Sequence, residues 1–168
     1  MLYTKRNAFT MLELTFVIVI IGILSAVAIP KLAATRDDAV ITKARATVSA
    51  VRNAILTERQ KRILKGDFVN PINALSMNAA NVFDRFNPDR DEAAAGLAEG
   101  GRVLEYPVPS CGTLGNATEC WQMNGRDYQF VLPGGGTVDF TIVDAANVVT
   151  NRFDCVAPNS AGCRLLTQ

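Results

Sequence analysis

Lys5-Arg6-Asn7-Ala8-Phe9-Thr10-Met11-Leu12-Glu13 leads into Leu14-Thr15-Phe16-Val17-Ile18-Val19-Ile20-Ile21-Gly22-Ile23-Leu24-Ser25-Ala26-Val27-Ala28-Ile29, and this junction decides how the chain is read. Residues 14–29 carry no charge. Extended from Phe9 to Leu32, the apolar stretch gives about 36 Å of α-helix at ~1.5 Å per residue. The hydrocarbon core of a bilayer takes about 30 Å. Lys5 and Arg6 precede the stretch, which predicts a cytoplasmic N-terminus and a remainder that crosses the membrane. A secretory signal peptide is the competing reading, because Ser25-Ala26-Val27-Ala28 has the small residues of a cleavage site. Glu13 speaks against it. A carboxylate in an apolar segment costs about 2.5–3.5 kcal/mol at mid-membrane and less near an interface. An acid placed there asks for a partner.

The rest of the composition narrows the classes. The chain has 168 residues, 49% of them hydrophobic, enough for one packed domain and an added element. Its net charge of +1 hides a segregation. Residues 31–65 carry nine basic and three acidic groups, net +6, whereas residues 67–168 carry six Arg, no Lys and twelve carboxylates, net −6. There is no histidine, which removes Ser-His-Asp and Cys-His catalysis and every zinc site that needs imidazole.

The segment from Lys5 to Leu14, the apolar run behind it and Pro30 resemble the N-terminus of type IV prepilins and type II secretion pseudopilins. The resemblance covers about the first 32 residues. It implies that a prepilin peptidase cuts between Ala8 and Phe9, that the new amine of Phe9 is methylated, and that Glu13 is the fifth mature residue. Gly22 and Pro30 fall where the family commonly has helix-weakening residues. The family usually has Gly before the cut, and Ala8 is a small replacement for it. A cut on the cytoplasmic side of the helix keeps the anchor and creates an α-ammonium at Phe9. In a staggered bundle of parallel helices, Glu13 of one copy meets that ammonium on its neighbour, and each charge neutralises the other in a low-dielectric setting. The implied partners are other pilin subunits in a filament, the peptidase, membrane lipid, and an inner-membrane assembly platform with its ATPase. The implied location is the inner membrane, single-pass with a periplasmic head, and then a pilus or pseudopilus.

Beyond the membrane stretch, residues 31–65 lack Gly and Pro, and Ile41, Ala44, Val48, Val51 and Ile55 recur at helical spacing. One helix is therefore predicted over residues 9–65, ended by Gly66-Asp67. Its stripe spans about two heptads, too short for a free coiled coil, and is expected to pack on the chain's own C-terminal part. Glu58 and Arg62 form an i, i+4 pair on the helix. The expected divisions are a leader at 1–8, an assembly helix at 9–32, an amphipathic helix at 33–66 and a globular part at 67–168.

Residues 66–102 read as a connecting loop with small helical pieces. After it come strand-like runs at Val103–Val108, Glu119–Met123, Asp127–Leu132, Thr137–Val143 and Asn151–Cys155. Asn124-Gly125 signals a tight hairpin between two of them. The fold class is therefore α+β and pilin-like, with an antiparallel sheet covering the second half of a long helix. Trp121, Tyr128, Phe130 and Phe140 are expected in its core.

No cofactor is expected. Asp84, Asp89, Asp91 and Glu92 cluster without the spacing of a calcium loop. Related pseudopilins bind calcium among their strands, where this chain has Asp144, Asn147 and Asp154. Cys111, Cys120, Cys155 and Cys163 lack zinc-knuckle spacing, and the topology places them where disulfides persist. Sequence alone allows three pairings. Cys111–Cys120 and Cys155–Cys163 are favoured because each closes a loop containing Gly or Asn, and related pilins staple a C-terminal loop in this way. The acidic 67–168 region is not expected to bind nucleic acid directly, since phosphate contacts need clustered Lys and Arg. The function expected is a filament subunit with no enzymatic activity. The alternative is a membrane-anchored extracytoplasmic enzyme or solute-binding domain.

Overall fold

The computed structural model describes residues 9–76, 80–115, 118–143 and 148–168. Two compact units are distinguished, Met1–Ala39 and Val40–Gln168. Helix α1 covers Met11–Leu64, in agreement with the sequence-based expectation. Pro30 lies inside it, where it removes one amide donor and crowds the preceding turn. The helix stops in a Schellman arrangement. Gly66 takes φ +74, its N–H bonds to the Ile63 carbonyl at 2.9 Å, and the Asp67 N–H bonds to the Arg62 carbonyl at 2.8 Å.

In the second unit, α1 lays Ala44, Val48, Val51 and Ile55 into the core, with Ile41 half-buried beside them. Facing them is a four-stranded antiparallel sheet in the order β3-β4-β5-β6 (Cys120–Asn124, Asp127–Val131, Thr137–Val143, Val149–Cys155). β5 shows the reason for the burial: side chains alternate along it, so Val138, Phe140 and Ile142 face inward and Asp139 and Thr141 outward. The same period puts Trp121, Tyr128, Phe130 and Phe153 on the inner face, in register pairs such as Trp121–Phe130 and Tyr128–Phe140. Phe140 and Phe153 stack with centroids 5.0 Å apart, and Phe83 meets Trp121 edge-on at 5.1 Å. Burying each of the larger aliphatic side chains contributes about 1.5–3 kcal/mol. The hairpin between β3 and β4 turns on Gly125, at φ +66, and Arg126, with Asn124 still paired to Asp127.

The connecting region differs from the expectation. Residues 103–107 form no strand. Only Val108–Pro109 (β2) pairs, with Asn81–Val82 (β1), because Pro107 and Pro109 have no amide to extend a ladder. Residues 66–102 are also more than a connection, since they supply Ile72, Leu75, Val82, Phe83 and Phe86 to the core. Tyr128 fixes this region to the sheet: its hydroxyl donates to the Leu75 carbonyl and accepts from the Leu75 N–H, both at 2.8 Å. Burial pushes that phenol up to about 12, so it stays a donor at neutral pH.

Both disulfides join the locally favoured partners, Cys111–Cys120 and Cys155–Cys163. The first links the short helix α3 (Cys111–Leu114) to β3, and the second ties β6 to the terminal helix α4 (Ala161–Thr167). In the chain-entropy model each such loop constraint is worth about 2–3 kcal/mol. α4 sits so close to β5 that a Cβ on Gly162 would lie 2.6 Å from Val138 Cγ2. Val138 is buried and β-branched, so it cannot swing aside. Gly162→Ala should therefore lower stability by about 1–3 kcal/mol, read from denaturant unfolding. An unchanged midpoint would show that α4 is free to shift.

Candidate assembly segment

The segment singled out by the sequence begins at a helix N-terminus. Thr10 Oγ1 accepts the Glu13 N–H at 3.2 Å, and the Thr10 carbonyl accepts the Leu14 N–H at 3.1 Å. Thr10 thus caps α1, with Glu13 as the third residue of the first turn, in a Thr-x-x-Glu pattern. The Thr-x-x-Glu spacing is itself legible in the sequence. A carboxylate in a first turn is favoured by the helix dipole. Phe9, 76% exposed, lies immediately before the helix, and Glu13 is exposed. Gly22 and Pro30 follow within α1, and open space surrounds Gly22. Ala8 lies outside the described residues.

From Met11 to Leu32 the large apolar side chains are uncovered by this chain, Met11 at 84% and Val17, the least exposed, at 43%. By length and composition α1 holds a segment apolar enough to cross a membrane. So large an apolar surface needs lipid or other helices around it.

Several bases of the stretch behind it are engaged by this chain, though most of them stay exposed. The Arg45 Nε donates to the Leu165 carbonyl. The Arg52 Nε donates to the Phe153 carbonyl at 2.9 Å, and its Nη2 lies 3.5 Å from Asp154. Lys61 pairs with Glu58 at 3.2 Å and Lys65 with Asp89 at 2.6 Å. Arg62 has no exposure at all. Its Nε donates to Glu58 at 3.1 Å, Nη1 to the carbonyls of Asn70 and Pro71, and Nη2 to the carbonyl of Asn87. The pair read from i, i+4 spacing is thus a buried clamp that gathers the connecting region around the end of α1. Arg52, Lys61, Arg62 and Lys65 are thus ion-paired within the chain.

The acidic cluster is likewise structural. Asp89 caps the short helix α2 (Arg90–Ala94), accepting the N–H groups of Asp91 and Glu92, while Glu92 reaches back to the Asp89 N–H. Asp91 pairs with Arg90. Of the residues weighed for calcium, Asp154 is held between Arg52 and Arg152, and Asp144 and Asn147 lie outside the described residues. Among the described residues no group of three acidic or thiol side chains is arranged to hold a metal.

Burial would raise the Asp89 carboxyl, but Lys65 and the capping amides outweigh it and hold the group at about 2, below its ordinary 3.8. A lowered native value stabilises the fold above the unfolded value and is lost as pH falls through the native one. Asp89 should therefore contribute about 2 kcal/mol that disappears between roughly pH 4 and pH 2. In Asp89→Asn, unfolding followed by fluorescence should lose part of its slope in that window, the remainder coming from groups such as Asp67, which, against its burial, the Arg90 and Asn70 hydrogen bonds also hold low. An unaltered slope would remove Asp89 from the acid response.

The first 29 residues and the fold lead to the same place. The family described as the prokaryotic N-terminal methylation motif matches residues 3–29. A relative, the type IV narrow pilus major component PilA5 of Thermus thermophilus, is 44% identical over 71 residues, or 40% of this chain. The chain spans 61% of the length of that relative. No solved structure matches the chain. The chain thus joins a match to the methylation motif in its first 29 residues to a long N-terminal helix followed by an antiparallel four-stranded sheet.

Proposed function

We propose that the chain is a structural subunit of a type IV pilus or of a related secretion or DNA-uptake pseudopilus, without enzymatic activity. The reading rests on the uncovered apolar face of residues 11–32, which begins with a carboxylate in the first helical turn. Residues 9–32 act as a membrane anchor before assembly and as filament core afterwards. Prepilin peptidase cuts between Ala8 and Phe9, Phe9 is methylated, and its ammonium meets Glu13 of a neighbour. An inner-membrane platform and its ATPase draw subunits out of lipid, with the second unit on the far side of the membrane.

Intact mass of the membrane-extracted protein tests this. The expected species lacks residues 1–8 and carries one methyl group on Phe9. Retention of Met1 in mature protein, or cleavage after Ala28, would refute the proposal.

A further inference from the structure

The C-terminal segment is held to the rest of the head by few ties. The Val156 N–H donates to the Asp139 carbonyl at 2.9 Å, and residues 157–160 then make an exposed turn. α4 follows, with seven residues, too few to stand as a helix without tertiary support. Among the described residues, α4 gives the main core only Cys163 and Leu166. Its Leu165 carbonyl accepts from the Arg45 Nε, and Gly162 lies against Val138. The covalent tie is Cys155–Cys163, which joins α4 to the end of β6. The remaining core, from Val48 on α1 to Phe153 on β6, is built without this segment. The two disulfides are also placed unequally. Cys111 and Cys120 are both buried, in a cluster with Val131. Cys155 is half-buried and stands next to the exposed turn.

We propose that Cys155–Cys163 is a redox-operated latch, whose opening releases residues 157–168 as a unit while the rest of the head stays folded. A thiolate of a dithiol reductant attacks the Cys155 Sγ, the better exposed sulfur-bearing residue of the pair. The Sγ–Sγ bond breaks, and Cys163 leaves as a thiolate that takes up a proton. The second thiol of the reductant then displaces Cys155, so two cysteine thiols form and the reductant becomes a disulfide. A disulfide oxidant runs the same exchange backwards and closes the latch. The segment opens locally because it carries few of the buried contacts that hold the other elements together. Its release bares Val138 and the seat of Leu166, so this one bond decides whether that end of the core is covered.

The test uses the full-length chain in detergent, exposed to dithiothreitol for increasing times, quenched by alkylation and mapped by peptide mass spectrometry. Cys155 and Cys163 should become alkylated about tenfold sooner than Cys111 and Cys120, because thiolate attack depends on access. In the form with only Cys155–Cys163 reduced, hydrogen exchange in residues 161–167 should accelerate about thirtyfold or more. That factor is the loop constraint of about 2 kcal/mol taken at ~1.4 kcal/mol per factor of ten. Exchange in β3, β4 and β5 should not change, and oxidised glutathione should restore protection to α4. Cys155→Ser combined with Cys163→Ser should show the same loosened α4 without reductant. Cys111–Cys120 opening first or at an equal rate would overturn the proposal. Protection lost throughout the sheet would show that the bond holds the whole head. Protection kept in α4 after reduction would show that Leu166 and Arg45 hold the segment unaided. Either result would overturn the latch.

Discussion

Glu13→Gln should leave the subunit folded and inserted while reducing its incorporation into filaments a hundredfold or more. Removing one partner of a buried ion pair costs about 3–5 kcal/mol, and each ~1.4 kcal/mol is a factor of ten in an equilibrium. The substitution isolates the charge. Gln keeps the size of Glu and serves equally as third residue of a capping pattern, so the Thr10 bond to the residue 13 N–H is preserved. Among the described residues, the head's core and its disulfides involve none before Val40. Subunit level in the membrane, compared with filament recovered by shearing, gives the readout. Degraded subunits would mean that Glu13 serves folding. Wild-type filament yield at normal subunit levels would show that the pairing with the Phe9 ammonium is not needed. Thr10→Val makes the complementary variant, since it keeps the carboxylate and removes the cap at a cost of about 1 kcal/mol.

The second large effect is expected at Arg62. Arg62→Met fills much of the same space but leaves the buried Glu58 carboxylate only the half-exposed Lys61 ammonium at 3.2 Å, and the carbonyls of Asn70, Pro71 and Asn87 each lose a donor. Removing the buried partner of such a pair costs up to about 3–5 kcal/mol, a large part of the 5–15 kcal/mol by which domains are stable. Arg62→Lys should recover little of it, because one ammonium cannot reproduce a planar fork that spans a carboxylate and three carbonyls. Adding Glu58→Gln to Arg62→Met should cost less than the sum of the single changes, since the two side chains share one interaction. Denaturant unfolding of the full chain in detergent measures each. A loss below about 1 kcal/mol for Arg62→Met would show that water enters the site and the clamp is dispensable.

Much of this protein was decided by local pattern. The uncharged run from Leu14 to Ile29 and the three- and four-residue spacing from Ile41 to Ile55 depend only on helical geometry, so α1 could be read to within two residues of its ends. Alternation along Thr137–Val143 and the Asn124-Gly125 signal are equally local, and the sheet's central hairpins followed from them. Glu13 stood out by charge alone. Other features depend on which distant segments meet, and no period encodes that. The spacing gives Arg62 a partner in Glu58, but only the tertiary structure brings the carbonyls of Asn70, Pro71 and Asn87 around its guanidinium. Val103–Val108 had the composition of a strand, yet Pro107 and Pro109 left only Val108–Pro109 to pair. Phe83 takes φ +59, rare for an aromatic residue, because its ring is held among Trp121, Tyr128 and Phe153. The choice among three disulfide pairings was settled by α3 lying against β3 and α4 against the end of β6. Local sequence determined where the helix and hairpins form and which segment is left for other molecules to cover. Tertiary packing decided which polar groups became internal, because burial of a charge is tolerated only where partners from elsewhere in the chain arrive together.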